Sequence, residues 1–172
     1  MPSAIFRHRL ATLDDLPAIV AIYNSTVASR EVTADTEPVS VASRLAWFHE
    51  HDPRRRPLWV IEEAGGAAAG MLGWMSYSNF YGRPAYSGTA ELSIYVAEAW
   101  RGKGIGRYCL HQAIEIAPSI AVHTLLGFIF GHNAASLALF DKFGFATWAR
   151  LPGVANLDGI ERDLIILGKR VA

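Results

Sequence analysis

The 172-residue chain is poor in cysteine, in net charge and in long hydrophobic runs. Cys109 is its one cysteine, which excludes an internal disulfide and fits a reducing compartment. The 16 Lys and Arg residues balance 16 Asp and Glu residues, whereas a nucleic-acid-binding protein usually carries excess positive charge. No apolar run approaches the roughly 20 residues of a membrane span, and residues 1–16 lack the apolar segment of a signal peptide. The sequence predicts a cytoplasmic protein that binds neither nucleic acid nor membrane.

The composition is that of a folded protein. Hydrophobic residues make up 51% of the chain and charged residues 19%, which is enough to bury a core. The length is typical of one domain, and no repeat, low-complexity tract or linker interrupts it. We expect residues 1–172 to form a single domain.

Hydrophobic periodicity predicts four helices. Thr12 is a candidate N-cap, and apolar residues at helical spacing follow it to about residue 29. A second helix is expected over residues 40–51, and a third ends near residue 117, before Pro118. The fourth covers residues 134–143 and is ended by Gly144, a typical residue after a helix C-terminus.

Alternating and apolar patterns predict seven strands, over residues 5–10, 58–63, 68–77, 88–96, 124–130, 146–151 and 160–167. Residues 64–66 form a hairpin signal between the second and third of these strands. In the fourth, one face carries Leu92, Ile94 and Val96 and the other carries Glu91, Ser93 and Tyr95. The element order β-α-α-β-β-β-α-β-α-β-β is that of a mixed α/β fold.

The stretch WRGKGIGRY, Trp100 to Tyr108, is the most distinctive in the chain. Its glycines and basic residues do not match G-x-G-x-x-G, because Arg107 stands at the third glycine position, and the chain contains no P-loop string. A glycine turn between a strand and a helix N-terminus suits an anion, since the first amides of the helix lack partners. By pattern alone, an ordinary glycine turn with solvated basic residues is an equal alternative.

Two motifs together resemble the GNAT N-acetyltransferase superfamily. Arg101-x-x-Gly104-x-Gly106 is similar to its acetyl-CoA pyrophosphate loop, (Q/R)-x-x-G-x-(G/A). The preceding ELSIYV resembles its splayed fourth strand, and NAAS followed by FGF resembles its second signature. The chain looks like a member of the phosphinothricin and methionine sulfone acetyltransferase branch in four segments: TAELSIYV, RGKGIG, NAAS and TADTEP. It departs from that branch at LDGIERD, which replaces an aromatic-rich segment common there. The resemblance spans essentially the whole chain and implies a GNAT-like α/β (α+β) fold.

The resemblance implies acetyl transfer from acetyl-CoA to the α-amine of a small amino-acid-like acceptor, with no metal, in a homodimer. It implies that the residues binding acetyl-CoA are Ile94, Tyr95, Val96, Arg101, Gly102, Lys103, Gly104, Ile105, Gly106, Arg107, Asn133, Ser136 and Phe140. Asn133 also fits a helix N-cap. Alternatives are another amine acceptor (a protein N-terminus, a polyamine or an aminoglycoside) and an acetyl-CoA-binding module without turnover.

Glu91 is the candidate general base, because an α-ammonium group must lose a proton before it can attack a thioester. It occupies the glutamate position of the branch's strand motif; a solvated strand glutamate is the alternative. The branch's proton donor to the departing thiolate falls at Phe140, which cannot donate a proton. One alternative is that the thiolate leaves unprotonated. The other is a different proton donor, for which the candidates are Tyr95, Tyr108 and His132, although packing explains each of these residues better.

For the acceptor, a carboxylate calls for an arginine or a set of amides. Arg83 falls at the branch's substrate-binding arginine, with Tyr86 and Thr89 as neighbours and residues 33–37 as a covering loop. A solvated loop arginine is the alternative.

Other features predict no chemistry. We expect a solvated turn at Arg54, Arg55 and Arg56; contact with the ribose phosphate of CoA is the alternative. The pair His49 and His51 has too few partners for a metal site, and Cys109 is expected in the core.

Overall fold

The computed structural model describes residues 6–65 and 70–172, which contain one seven-stranded sheet in the order β1-β2-β3-β4-β5-β7-β6. The strands are β1 (Phe6–Leu10), β2 (Leu58–Glu63), β3 (Gly73–Asn79), β4 (Thr89–Val96), β5 (Thr124–Phe130), β6 (Ala146–Leu157) and β7 (Ile160–Arg170). The strands pair antiparallel except for β4 and β5, which are parallel. The mixed sheet confirms the predicted fold class.

The helices are α1 (Leu16–Val27), α2 (Leu45–His49), α3 (Ile105–Ile116) and α4 (Ala134–Lys142), in the predicted order along the chain. Within the described ranges, none of them has the length and apolar character needed to cross a membrane. The predicted second helix is shorter than expected, because residues 42–44 form a 3₁₀ turn before α2.

Several predicted strand bounds also change. Ile5, residue 66 of the hairpin turn and residues 68 and 69 of the predicted third strand lie outside the described residues, and β3 begins at Gly73. The sixth strand, expected to stop at Leu151, continues to Leu157 as β6. Its register shifts between Leu151 and Ala155, so a bulge accommodates Pro152 and Gly153 within the strand.

Helices cover both faces of the sheet. On one face, α3 and α4 pack over a core that includes Leu92 and Leu110, and the Tyr77 hydroxyl donates to the Ala113 carbonyl at 2.8 Å. On the other face, α1 packs over Trp74, whose Nε1 donates to the Ile19 carbonyl at 3.1 Å. Successive β4 side chains therefore enter different cores, which confirms the predicted alternation.

Candidate active site

The site begins where β4 and β5 separate. Their parallel pairing joins Thr89, Ala90 and Glu91 to the start of β5 and stops at Glu91, although both strands continue for several residues. The sheet is therefore open along the C-terminal halves of the two strands. This opening is the splay that the strand motif predicts.

The open edge of β4 presents backbone groups to this gap. The Ala97 N–H donates to the Leu72 carbonyl at 2.9 Å, which marks Ala97 as a hydrogen-bonded partner in the ladder with β3. Hydrogen-bonded and non-hydrogen-bonded pairs alternate along antiparallel strands. The backbone groups of Ile94 and Val96 therefore point away from β3, towards the gap, where an extended ligand can pair with them.

The glycine loop leads from the end of β4 to the N-terminus of α3. Gly102 and Gly104 have φ of 75° and 91°, in the left-handed region that favours glycine, and Gly104 is the N-cap of α3. A Cβ atom on Gly106 would lie 3.0 Å from Leu139 Cδ2, so a larger residue there would have to displace the end of the Leu139 side chain. The first i to i−4 bond of α3 runs from the Tyr108 N–H to the Gly104 carbonyl.

The N–H groups of residues 105–107 precede that bond and lack intrahelical acceptors, so they form an anion-binding helix terminus. Three exposed basic side chains surround it: Arg101, Lys103 and Arg107. Lys103 Nζ lies 4.5 Å from the centre of the Trp100 ring, and Arg101 Nε lies 3.4 Å from the Val96 carbonyl oxygen. The loop has the charge and the free amides to hold a pyrophosphate.

A cleft of about 490 Å³ extends from this loop between the diverging strands. Among its lining residues are Glu91, Ile94, Gly106, Asn133 and Phe140. The cleft thus joins the glycine loop to the candidate base in one continuous space. The open strand edge and the anion-binding loop suit an extended ligand with an anionic end.

Glu91 lies at the closed end of the gap, as the last residue of β4 that pairs with β5. It is half-buried, and its carboxylate makes no hydrogen bond or ion pair with any residue in the described ranges. Burial raises the pKa of the Glu91 carboxyl above its usual value. A carboxylate in this state is a better proton acceptor than a solvated one.

Asn133 and Ser136 lie at the N-terminus of α4. Asn133 Oδ1 accepts the Ser136 N–H at 3.1 Å, so the N-cap interpretation of Asn133 is correct. Asn133 Nδ2 also donates to the Glu31 carbonyl at 3.2 Å, and His132 Nε2 lies 2.7 Å from the Arg30 carbonyl oxygen. These contacts fasten the loop after α1 to the edge of the cleft.

Phe140 belongs to the core that lines the cleft. It is buried, and its ring packs edge-on against Phe145 at a centroid distance of 4.8 Å. The three residues named as substitute donors are engaged elsewhere. The Tyr108 hydroxyl lies 2.8 Å from His8 Nδ1, and Tyr95 stacks on Trp74 at 4.5 Å. His132 contacts the Arg30 carbonyl through Nε2. Burial raises the pKa of Tyr95.

The predicted acceptor residues are less central. Arg83 and Tyr86 are exposed on the loop between β3 and β4, and neither lines the cleft. Thr89 is half-buried at the start of β4, opposite Thr124. The structure therefore groups Thr89 with Glu91 on one strand but does not bring Arg83 to the cavity.

One feature of the basic run was predicted wrongly. Arg54 and Arg55 are exposed, but Arg56 is buried, with only 5% of its surface exposed. Its Nη2 donates to the Ser87 carbonyl at 2.7 Å. Burial lowers the pKa of this guanidinium group, which has no carboxylate partner in the described ranges. Arg56 fixes the chain just before β4.

Sequence reasoning missed a polar group beside the site. Tyr23 on α1 is hydrogen-bonded to Thr33 and Asp35 of the following loop, and Arg44 donates to Asp35 Oδ2 at 2.8 Å. Arg44 also lies over the Tyr23 ring, 4.9 Å from its centre. Residues 32–34 line the cleft, so this group holds the covering loop in place.

The histidine pair and Cys109 stay outside the site. Within residues 6–65 and 70–172, no three His, Cys, Asp or Glu side chains are grouped as metal ligands. Cys109 is buried in the core, where burial raises its pKa to about 12. A thiol in that state is a poor nucleophile.

Comparison with known proteins gives consistent matches. The model of the acetyltransferase (GNAT) family matches residues 19–145. YwnH of Bacillus subtilis, provisionally assigned as a phosphinothricin acetyltransferase, is 54% identical over 95% of this chain and 98% of its own. An L-methionine sulfoximine/L-methionine sulfone acetyltransferase of Pseudomonas paraeruginosa is 36% identical over 92% of this chain and 91% of its own.

Solved structures agree with the fold. A crystal structure provisionally assigned as a phosphinothricin N-acetyltransferase has a TM-score of 0.92 and 52% identity, covering 97% of this chain and 99% of its own. The yncA protein of Salmonella typhimurium, solved with its cofactor acetyl-CoA, has a TM-score of 0.86 and 30% identity, covering 98% and 95%.

Proposed function

The chain belongs to the acetyltransferase (GNAT) family and is an acyltransferase, and from that premise we propose its donor, acceptor and base. The donor is acetyl-CoA, and the acceptor is the α-amine of a small amino acid of the phosphinothricin, methionine sulfone or methionine sulfoximine type. The names of the two curated relatives support this class of acceptor. Glu91 is the general base.

Acetyl-CoA supplies a thioester, whose acyl carbon the amine attacks. The amides of residues 105–107 and the basic side chains around them bind its pyrophosphate, with Gly102, Gly104 and Gly106 allowing the close approach. The backbone of Ile94 and Val96 pairs with the extended part of acetyl-CoA. The surrounding wall of the cleft includes Tyr95, Asn133, Ser136 and Phe140. The yncA protein of Salmonella typhimurium, solved with acetyl-CoA, supports acetyl-CoA as the ligand.

The position of Glu91 is the observation on which the mechanism depends. Its unpaired carboxylate faces the cleft at the point where β4 leaves β5. There it accepts a proton from the acceptor's ammonium group, directly or through one water molecule, because only the neutral amine has a lone pair. The N–H groups on the open edge of β4 are the donors available for charge that develops on the thioester oxygen.

No proton donor is assigned to the departing thiolate. Phe140 has no ionisable group, and Tyr95 and Tyr108 are engaged in packing and hydrogen bonding. A thiol with a pKa near 8.5 is a tolerable leaving group in its ionised form. The thiolate therefore leaves unprotonated and takes its proton from solvent.

An aminoglycoside acceptor fits less well. The space beside Glu91 on the α1 side of the sheet is a chamber of about 90 Å³, too small for an aminoglycoside ring system. A binding module without turnover is favoured by Phe140 alone, and the unpaired Glu91 argues against it.

We further propose that the protein acts as one domain, in the cytoplasm and as a homodimer.

The test is acetyl-CoA-dependent thiol release with a panel of acceptors: phosphinothricin, methionine sulfone, methionine sulfoximine, common amino acids, spermidine and an aminoglycoside. We expect saturable turnover confined to the amino acids and their analogues. Turnover with spermidine or the aminoglycoside alone would contradict the acceptor class.

Glu91→Gln tests the base separately. We expect turnover to fall by roughly 10² or more, the usual contribution of a general base. Acetyl-CoA should still raise the melting temperature, since a ligand that binds the folded state stabilises it. Unchanged turnover in this variant would remove Glu91 from the mechanism.

A further inference from the structure

The chamber beside Glu91 is a second cavity, distinct from the cleft between the strands. It lies between the sheet and the segment from α1 to α2, and Val39, Arg44 and Trp47 belong to its rim. Ser93 and Tyr95 of β4 line both the chamber and the cleft. A molecule that reaches into the chamber can therefore present its other end at the closed end of the cleft.

The sheet forms the floor of the chamber as a ladder of directly opposed residues from β3 and β4. The opposed pairs are Trp74 with Tyr95, Ser76 with Ser93, and Ser78 with Glu91. Opposed residues point to the same face, with Cβ atoms about 5 Å apart. The three serines therefore form one polar patch, with the candidate base at one end and two aromatic rings at the other.

The hydroxyls of this patch are unused by the protein. Within the described ranges, Ser76, Ser78 and Ser93 make no side-chain hydrogen bond. Ser76 is almost fully buried, with 1% of its surface exposed, and it lines the chamber. All three serines line the chamber, so their free hydroxyls are available to donate hydrogen bonds to a ligand there.

The walls are aromatic. Trp47 packs edge-on against Trp74 at a centroid distance of 5.6 Å, and Trp74 stacks on Tyr95. The Trp74 N–H is already donated to the Ile19 carbonyl, so this ring offers only apolar surface to the chamber. Apolar walls above a floor of hydroxyls suit a group that combines a methyl with a hydrogen-bond acceptor.

The charge of the chamber is balanced. Arg44 is the cation of its lining, and Arg44 is paired with Asp35 at 2.8 Å. Glu91 adds a negative charge next to Ser78. The chamber therefore favours an uncharged acceptor group over an anion.

The spacing fits an amino acid of methionine length. Glu91 and Ser93 are two residues apart on one strand, which is roughly 7 Å. An extended side chain of four atoms beyond Cα covers about this distance. With its α-amine at Glu91, such an amino acid places the end of its side chain over the pair Ser76 and Ser93.

We infer that Ser76, Ser78 and Ser93 determine acceptor specificity, by donating hydrogen bonds to an uncharged oxo group at the end of the acceptor's side chain. This inference rests on the proposed function and assigns the part of the site that selects among amino acids. The preferred acceptors are then sulfones and sulfoximines. Methionine lacks the oxo group, and phosphinothricin carries it with a negative charge.

The experiment compares kcat/KM for methionine sulfone, methionine and phosphinothricin in the wild type and in Ser76→Ala and Ser93→Ala. We expect the wild type to prefer the sulfone over methionine by about tenfold or more, and each serine variant to lose on the order of tenfold of that preference. Ser119→Ala, an exposed serine after α3, is the control and should keep the wild-type ratio. Melting temperatures confirm that the variants are folded.

Each outcome decides the inference. A falling ratio of sulfone to methionine in the serine variants supports it. An equal fall for both acceptors would overturn it, because the serines would then be holding the carboxylate that the two share. A wild type with no preference for the sulfone, or one that prefers phosphinothricin, overturns it without any variant. Turnover with none of the three instead means that the proposed function has failed, and this inference with it.

Discussion

A Cβ atom added to Gly127 would lie 2.7 Å from Cε1 of the Phe140 ring. The Phe140 ring of α4 therefore packs directly on the backbone of β5, just beyond the last residue of β5 that pairs with β4. Phe140 stands where the sequence resemblance implies a proton donor, and it forms part of the wall of the cleft. Gly127 and Phe140 act as one packing unit.

Gly127→Ala should therefore destabilise the protein by about 1–3 kcal/mol, the usual cost of overpacking a core. Urea denaturation measures the change. Adding Phe140→Leu makes room for the methyl group, so the double variant should lose less than the sum of the two single changes. Simple additivity would contradict direct contact between the two residues.

Phe140→Tyr tests whether the missing donor limits the reaction. If the thiolate leaves unprotonated, kcat should change by less than about threefold, whereas a general acid contributes roughly 10²–10⁴. Initial rates with saturating acetyl-CoA at several pH values give the comparison. A large gain in kcat would mean that protonation of the thiolate limits the native enzyme.

Gly104→Ala should weaken acetyl-CoA binding, because φ of 91° strains any other residue and this residue sets the first turn of α3. The strain is about 1–2 kcal/mol, and an affinity loss of up to about tenfold corresponds to that energy. Isothermal titration with acetyl-CoA measures it.

Gly159→Ala is the matched control. Gly159 has φ of 84° in the turn between β6 and β7, and an added Cβ meets nothing within 4 Å at either glycine. Both variants should lose similar stability, but only Gly104→Ala should bind acetyl-CoA more weakly. Equal affinities would show that the loop conformation is not needed for binding.

The sequence predicts the elements and the glycine loop because their signals are local. The loop of residues 101–107 combines motif, charge and helix start in one short stretch, and β4 shows its alternation directly. The chamber has no such signal. Ser76 meets Ser93 only through the register of β3 against β4, which a single sequence does not specify.

Arg56 illustrates the same limit. Three consecutive arginines are equivalent in sequence, and only tertiary packing selects which of them is buried. Arg56 lies between a turn and the start of β2. Its side chain donates a hydrogen bond to the Ser87 carbonyl. Burial of that kind depends on residues some thirty positions away and is invisible to composition.

Arg56→Met should consequently lower the free energy of unfolding by about 1–3 kcal/mol, since the Ser87 carbonyl loses a charged donor. Arg54→Met and Arg55→Met change exposed side chains and should stay within about 0.5 kcal/mol of the wild type. Urea denaturation of the three variants separates the cases. Three equal effects would contradict a specific role for Arg56.

Glu91→Gln should make the protein more stable at pH 7 even as it lowers turnover. Burial raises the pKa of Glu91 in the folded state, so the folded state favours the protonated carboxyl. Its stabilising contribution is complete below the unfolded pKa, near 4.3, and is lost as the pH rises through the folded pKa. Glutamine, which resembles the protonated form, avoids this loss.

The melting temperature of Glu91→Gln should therefore exceed that of the wild type at pH 7, and the difference should shrink as the pH falls towards 4. Glu98→Gln, in the exposed turn after β4, is the control and should show no such pH-dependent gain. A stability difference that does not vary with pH would mean that the wild-type carboxyl is not destabilised by burial. Glu91 would then lack the raised basicity on which its catalytic role depends.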